Sequence, residues 1–383
     1  MSPLAFQPGE GVVIDRVTIE NYRSIEKMEL RFRHRLTLLI GENGAGKTTV
    51  LDALSVLLGG TMPRWGSVND GDRRRVAGVA RTETILAASR GGRDWESRIS
   101  SLGQTAFRGP DTEGVVRAYF GADRWNEGDY KRLVEWFEER DIAEVRQQRE
   151  AQDLDFRDPQ LAEVRRRAEK MIPGASNPRI DPTGRFVVDQ QIGADLEKFE
   201  VSQLAGGLRT MLVLVADLAR MIVSMKNGRT DPLKAVVLID EVDLHLHPRW
   251  QLDVMNNLLT AFPEAQFVAT THSEEIIASV PSECVVSLQN SNGQVVASAI
   301  PPVQGATFER VLEDAMGVPG HRPPEFQRHL DEYWKLVDAG AGESPEGVAL
   351  RRKLDDWFQG QEPELVKADL AIRRKRARAG TGT

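Results

Sequence analysis

The run RLTLLI at residues 35–40 passes without a break into GENGAGKTT at residues 41–49, and this junction limits the fold more than any other part of the chain. The first run is short and apolar, as a buried strand is. After Lys47, residues Val50, Leu51, Leu54, Leu57 and Leu58 recur at helical spacing. Between strand and helix, Gly41 to Thr48 fits the spacing G-x-x-x-x-G-K-[ST]. Each fixed position has a physical task. The glycines allow tight backbone turns, so that successive N–H groups converge on phosphate oxygens. The helix N-terminus adds partial positive charge. Lys47 is suited to reach the β- and γ-phosphates, and the Thr48 hydroxyl to ligate Mg²⁺. Four fixed positions at this spacing arise by chance in roughly one chain in a hundred of this length. The expected nucleotide-binding set is Gly41, Asn43, Gly44, Ala45, Gly46, Lys47, Thr48 and Thr49.

Two later strands supply the partners such a loop needs. Val236-Val-Leu-Ile239 ends in Asp240-Glu241, so a buried strand delivers paired carboxylates to its C-terminal tip. There Asp240 is expected to hold magnesium together with Thr48. Glu241 is expected to take the proton of the attacking water, help typically worth about 10²–10⁴ in rate. The strand FVATTH places His272 at a second tip, suited to a hydrogen bond with the γ-phosphate. His245 and His247 in LHLHP share a strand-like face, but no third metal ligand is apparent. His321 and His329 read as surface residues.

The intervening chain alternates strand and helix, as a parallel sheet with covering helices requires. VVIDRVTIENYRSIEKMELRF reads as paired strands, and residues 59–80 read as a loop. DWESRIS and GVVRAYFG read as strands separated by the polar LGQTAFRGPDTEG. From Trp125 to Pro173 the chain is highly charged with apolar residues at helical spacing, a helical insertion that leaves the sheet and returns. GRFVVDQQ and KFEVSQ read as strands, Leu208 to Met225 as a long amphipathic helix, and PRWQLDVMNNLLTAF as one helix. Beyond Pro301 the chain is expected to be helical, with a frayed charged tail.

Composition narrows the class further. Of 383 residues, 40% are hydrophobic and 28% charged, which suits a soluble globular protein. There is no apolar run of membrane-spanning length and no secretory start, so a cytoplasmic location is expected. Cys284 is the only cysteine, which excludes intramolecular disulfides and cysteine-rich metal sites. The formal net charge of −7 does not mark a nucleic-acid binder. Local basic clusters at Arg73–Arg75, Arg165–Arg167 and Arg373–Arg378 are either solvated faces or DNA/RNA tracks. Asp153-Leu-Asp155 is the nearest approach to a nuclease-type metal pair, and it sits in a charged helical segment.

QLAGGLRT at residues 203–210 resembles a second phosphate-binding loop, with Ala205 where a serine is expected. Taken with IENYRSIEKMEL, LLIGENGAGKTT, VVLIDEVDLHLHPRWQ and VATTHS, it resembles the ABC-type ATPases of the RecF, SMC and overcoming-lysogenisation-defect class. AYFGADRW, DPQLAEVRRRAEKMIP, MLVLVADLAR and EPELVKADLAIRR are similar to the PtuA-like ATP-binding proteins of Septu and retron anti-phage systems. The resemblance implies a P-loop α/β fold, an ABC-type ATPase head with a helical insertion and a C-terminal helical region. It implies ATP and Mg²⁺ as ligands, and a head-to-tail homodimer or higher oligomer with ATP between subunits. In that arrangement Ala205, Gly206 and Gly207 contact the γ-phosphate of ATP held by the partner subunit, with Arg209 following. Asp243 then lies at the dimer seam, and Asn21 and Arg23 beside the nucleotide. Two features depart from the family pattern. Ala205 lacks the hydroxyl, with Ser202 a poor substitute, and only Gln104 is a candidate for the glutamine loop.

The expected organisation is an ATPase lobe over residues 1–124 with the Walker A loop, a helical insertion over 125–195, a second lobe over 196–300 with signature, Walker B and histidine loop, and a helical region over 301–383. The expected function is ATP hydrolysis that gates a partner effector, a nuclease, in phage defence. The alternatives are a RecF-like DNA-repair ATPase and a transporter ATPase subunit. NYRSI and VDLHLHP argue against the transporter.

Overall fold

The computed structural model describes residues 12–58, 84–90, 93–99, 105–108, 115–121, 127–172, 174–226, 233–291, 294–318, 324–358 and 362–380. By contact the chain divides into two units, Met1–Gly317 and Val318–Thr383.

In the first unit, β1 (Arg16–Tyr22) and β2 (Ile25–Arg31) form an antiparallel hairpin with Tyr22 opposite Ile25. Its period-two pattern buries Val17 and Ile19 on one strand and Met28 and Leu30 on the other. β3 (Leu36–Ile40) is buried at every residue, as a central strand covered on both faces must be. It leads through the glycine loop into α1 (Lys47–Leu57). Next come β4 (Thr84–Arg90), β5 (Arg93–Ile99) and β6 (Thr105–Arg108), which extend the hairpin into a sheet of order β2-β1-β4-β5-β6. The strand β6 falls inside LGQTAFRGPDTEG, which reads as a loop in the sequence, and β4 has no clear signature there. Both are held by antiparallel partners, β6 by β5 and β4 by β1 and β5, rather than by their own patterning.

β7 (Val115–Phe120) precedes the insertion of α2 (Glu127–Ala151) and α3 (Pro159–Met171). α3 starts where it does because the Asp158 carboxylate accepts from Gln160 N and Leu161 N, each at 2.9 Å, ahead of a proline at the first turn. β8 (Ala175–Ile180), β9 (Phe186–Ile192) and β10 (Asp195–Glu200) form a small antiparallel sheet of order β10-β9-β8. Then follow α4 (Gly206–Lys226), β11 (Lys234–Ile239), α5 (Pro248–Gln251), α6 (Val254–Ala261), β12 (Ala265–Thr270), α7 (Glu274–Ser279), β13 (Val285–Ser291), β14 (Gln294–Ala299) and α8 (Phe308–Asp314). PRWQLDVMNNLLTAF is therefore two helices and not the one expected. α5 ends at Gln251, whose side-chain amide turns back to the Leu246 carbonyl at 2.8 Å, and α6 restarts after Asp253.

The main sheet has the order β14-β13-β3-β12-β11-β7, parallel throughout except for the β13–β14 hairpin. Alternate residues serve two cores. Leu36, Leu38, Ile40, Val237, Ile239 and Phe267 face the cluster that includes α4 through Leu212, Val215 and Leu218. Leu39, Val236, Leu238 and Val268 face α1 and the β1–β2 hairpin. Full burial of each large aliphatic side chain contributes about 1.5–3 kcal/mol. One polar residue interrupts β12. Gln266 is fully buried, and its amide accepts from Val13 N and Ile14 N, both at 2.8 Å, and donates to Ile14 O at 3.0 Å. It thereby satisfies backbone groups that have no ladder partner of their own. Cys284 is buried in a single turn before β13, and burial pushes its thiol up to about 12.

The second unit contains α9 (Pro324–Asp338), α10 (Pro345–Phe358) and α11 (Pro363–Gly380), packed on Leu330, Tyr333, Val337, Leu354, Leu365 and Ala368. Within it His329 is buried, contrary to the surface expectation. Its Nδ1 lies 2.7 Å from Glu325 O, its Nε2 2.8 Å from Lys353 Nζ, and its ring meets Trp357 edge-on. The basic tail continues α11 instead of fraying. Lys375 donates to Val337 O at 2.8 Å and Asp338 O at 2.6 Å, satisfying carbonyls at the end of α9. Among the described residues, no helix is long and apolar enough to cross a membrane.

Candidate functional site

The glycine loop at the end of β3 is built so that only glycine fits at its entrance. Gly41 has φ 142°, and a Cβ there would lie 2.2 Å from the Leu288 carbonyl oxygen. Gly44 (φ 80°) and Gly46 (φ 98°) are also left-handed, and a Cβ on Gly46 would press on Val295 at 3.0 Å. Asn43 is exposed on the loop, Ala45 is buried beneath it, and Thr49 is half-buried in the first turn of α1. Lys47 is buried, and its ammonium donates to Gly41 O at 2.8 Å and Glu42 O at 3.0 Å, so it lies across the loop it serves. Burial lowers its pKa below the ordinary lysine value, opposed by the negative charges of Asp240, Glu241 and Asp243.

Asp240 is pinned at both carboxylate oxygens. Thr48 Oγ1 donates to Oδ2 at 2.9 Å, and Thr270 Oγ1 donates to Oδ1 at 2.5 Å. Its backbone N–H donates to Phe120 O at 2.8 Å, which fixes it at the tip of the β7–β11 pair. The next residue, Glu241, adopts φ 49°, a left-handed conformation that costs a non-glycine residue about 1–3 kcal/mol. Its N–H donates to Thr270 Oγ1 at 2.7 Å. Asp243 Oδ1 accepts from Thr271 Oγ1 at 2.6 Å and from His272 N at 3.3 Å. The imidazole of His272 is half-buried at the end of β12. The adjacent oxygens of Thr48 and Asp240 form a hard donor set of the kind a magnesium ion takes, and the left-handed glycines leave the loop free of side chains where phosphate would lie.

A second polar group joins the β1–β2 turn, α1 and β7. Arg23 sits in the β1–β2 turn and Asn21 near the end of β1, with left-handed φ of 50° and 53°. The Arg23 guanidinium pairs with Asp52, which is fully buried on α1, and lies 5.3 Å from the centre of the Tyr22 ring. The Tyr119 hydroxyl lies 3.5 Å from the other Asp52 oxygen, and burial with that carboxylate pushes the phenol pKa far up. Sequence reasoning missed Asp52, Tyr119, Thr270 and Thr271. The one signal for Asp52 is a carboxylate on an otherwise apolar stretch of helix, VLDALSVL.

The QLAGGLRT segment lies at the start of α4. Leu204 is buried, Ala205 and Gly206 are exposed, and Gly207 is buried. A Cβ on Gly207 would lie 2.3 Å from the His245 carbonyl oxygen, so this glycine seats the helix start directly on the backbone after Asp243. Ser202 does not replace the missing hydroxyl, because its Oγ donates to Glu200 at 2.7 Å. Arg209 reaches back to Ser202 O at 3.4 Å. Among the described residues, no hydrogen bond or ion pair joins Leu204–Gly207 to Gly41–Thr49. Hydrogen bonds do join that loop to Asp240, and Asp240 through Thr270 to Glu241.

The remaining candidates have ordinary roles. His245 is exposed with φ 64°. His247 Nδ1 accepts from Arg249 N at 3.2 Å and caps α5. Asp153 Oδ1 accepts from Asp155 N at 3.0 Å in the turn after α2, a loop and not a helix. Arg165 pairs with Asp141 at 2.7 Å, Arg166 with Glu163 at 2.6 Å, and Arg167 with Glu264 at 2.7 Å, so that cluster is matched by carboxylates. Gln104, Arg73–Arg75 and His321 lie outside the described residues.

The chain is similar to several known proteins. A family model for an AAA domain matches residues 16–160. The "Retron Ec83 probable ATPase" of Escherichia coli is 25% identical over 94% of this chain and 86% of its own length. The "Septu protein PtuA" of Bacillus mycoides (strain KBAB4) is 23% identical over 86% of this chain; the match spans 48% of that protein, about half its length. The SMC head domain from Thermotoga maritima overlaps 76% of this chain and 100% of that one, at 15% identity and a TM-score of 0.47. The glycine loop after β3, the acidic tip of β11 facing it and the glycine-led α4 all border this mainly parallel sheet. The chain is an ATPase with a P-loop α/β fold, and it resembles the PtuA-like ATP-binding proteins of Septu and retron anti-phage systems.

Proposed function

We propose that two copies of the chain close head to tail around ATP, hydrolyse it, and thereby gate a partner effector, a nuclease, in anti-phage defence. The observation that carries the dimer is the outward-facing start of α4. Ala205 and Gly206 are exposed, and Gly207 is seated on the His245 carbonyl rather than on the chain's own phosphate loop. A phosphate-binding helix start so placed suits a nucleotide held by another copy.

In this reading Lys47 leaves Gly41 O and Glu42 O and turns to the β- and γ-phosphates, and the backbone N–H groups of residues 41–48 hold the rest. Thr48 and Asp240 would hold a magnesium ion, which when bound would supply charge neutralisation on the phosphates. Glu241 takes the proton from the attacking water. His272 meets the γ-phosphate from the neighbouring strand tip, and Arg23, braced by Asp52, flanks the nucleotide. The partner copy closes the site with the N–H groups of Gly206 and Gly207. Ala205 withholds a hydrogen bond to a charged oxygen worth about 1.5–3 kcal/mol, so closure is weaker than with serine. The effector part rests on the names of the relatives, which belong to retron and Septu defence systems.

The test is the oligomeric state of Glu241→Gln by analytical ultracentrifugation at saturating ATP and Mg²⁺. A nucleotide-dependent dimer is expected; a monomer removes the proposal. Purification from the native operon should bring down the effector, and recovery of the chain alone counts against gating.

A further inference from the structure

We propose that Thr270 is the positioning residue of the hydrolytic pair: a single hydroxyl that sets the Asp240 carboxylate and the Glu241 backbone together. This rests on the roles proposed above for those two residues. β12 is buried at every position. Valine would fill the place of Thr270 with the same shape and no polar group to satisfy. Yet the hydroxyl is there and is fully used. Its one proton goes to Asp240 Oδ1 at 2.5 Å, and a lone pair accepts the Glu241 N–H at 2.7 Å.

The consequences differ at the two partners. The Asp240 carboxylate accepts from Thr48 on α1 and from Thr270 on β12. Thr48 opens α1 at the end of the glycine loop, whereas Thr270 stands in β12, which is buried at every position. Thr270 therefore holds the carboxylate from the sheet side. At Glu241 the left-handed backbone turns the side chain out of the strand, and its N–H would otherwise be left without this anchor. Losing the hydroxyl removes one hydrogen bond from each residue at once. The neighbouring Thr271 points the other way and serves Asp243, so the two adjacent hydroxyls divide their targets.

The experiment compares wild type, Thr270→Val, Thr270→Ser and Glu241→Gln in steady-state ATPase assays and in nucleotide binding without Mg²⁺. Thr270→Val is expected to lower kcat by about 10- to 100-fold, the loss of one charge-assisted hydrogen bond. Metal-free ATP affinity should be unchanged, and the Mg²⁺ concentration for half-maximal rate should rise. Thr270→Ser, which keeps the hydroxyl and loses the methyl, should restore most of the rate. A Thr270→Val enzyme with wild-type kcat and Mg²⁺ dependence, beside an inactive Glu241→Gln, overturns the proposal alone. So does a Thr270→Ser enzyme as impaired as the valine variant; this second test stands even if Thr270→Val fails to fold. If Glu241→Gln hydrolyses ATP like wild type, it is the underlying assignment of Glu241 that fails instead.

Discussion

Replacing Gly207 by alanine tests the seating of α4, and Gly206 is its matched control. The Gly207 position is buried, and an added Cβ would meet the His245 carbonyl oxygen at 2.3 Å and its carbon at 3.0 Å. Those are backbone atoms, so no side-chain rotation relieves the clash, and either α4 or residues 245–246 must shift. Overpacking of this kind costs about 1–3 kcal/mol. At about 2–4 °C per kcal/mol for a large domain, the melting temperature should fall by about 2–12 °C. Gly206, one residue earlier, has nothing within 4 Å of its Cβ position. There alanine should leave the melting curve unchanged or raise it slightly, since glycine in a helix costs roughly 0.5–1 kcal/mol relative to alanine. The assay is thermal unfolding of both variants without nucleotide, followed by ATP-dependent dimerisation in the Glu241→Gln background. Gly207→Ala should lose both stability and dimerisation. A Gly207→Ala curve superimposable on wild type, or an equal loss in Gly206→Ala, would refute the packing argument.

Two further outcomes are expected. Ala205→Ser adds a donor on the exposed start of α4 and should hold or raise ATPase activity and lengthen dimer lifetime; complete loss of turnover would mean the loop has another role. Glu163 is held down at about 2 from an ordinary 4.5, chiefly by Arg166 and then by Arg167. Because its folded value is depressed, the stabilisation is fully present above 4.5 and is lost as pH falls through that window toward 2. Glu163→Gln should therefore be less stable than wild type at neutral pH, and the gap should narrow in melts taken near pH 3; a constant gap would assign Glu163 no linked role.

The phosphate loop and the acidic strand tip were legible because their chemistry is contiguous. Strand, loop and helix follow one another from Leu36 to Leu57, and Asp240 and Glu241 simply end β11. The β1–β2 hairpin was legible for the same reason, since its alternation and its turn are local. What was hidden depends on long separations. Thr270 meets Asp240 30 residues away, Arg23 meets Asp52 29 residues away, and Gln266 meets Val13 253 residues away. No local pattern marks such contacts. β8 and β14 also went unread, because each is held by an antiparallel neighbour and not by alternation of its own. The break between α5 and α6 is set by Gln251 folding back on Leu246, a tertiary choice that helical periodicity does not record. His329 was placed at the surface because a polar residue in a charged helix usually lies there. The Glu325 carbonyl, Lys353 and Trp357 together make its burial tolerable.

Gln266 brings a lopsided tolerance to change. All three of its amide bonds end on main-chain atoms of Val13 and Ile14. Evolution can therefore exchange the side chains at 13 and 14 for others of like bulk without loosening the tether, because the bonded atoms belong to every amino acid except proline. At 266 there is no such latitude: a leucine there would strand two donors and an acceptor in the interior in one step, and asparagine, a methylene shorter, would fall short of them.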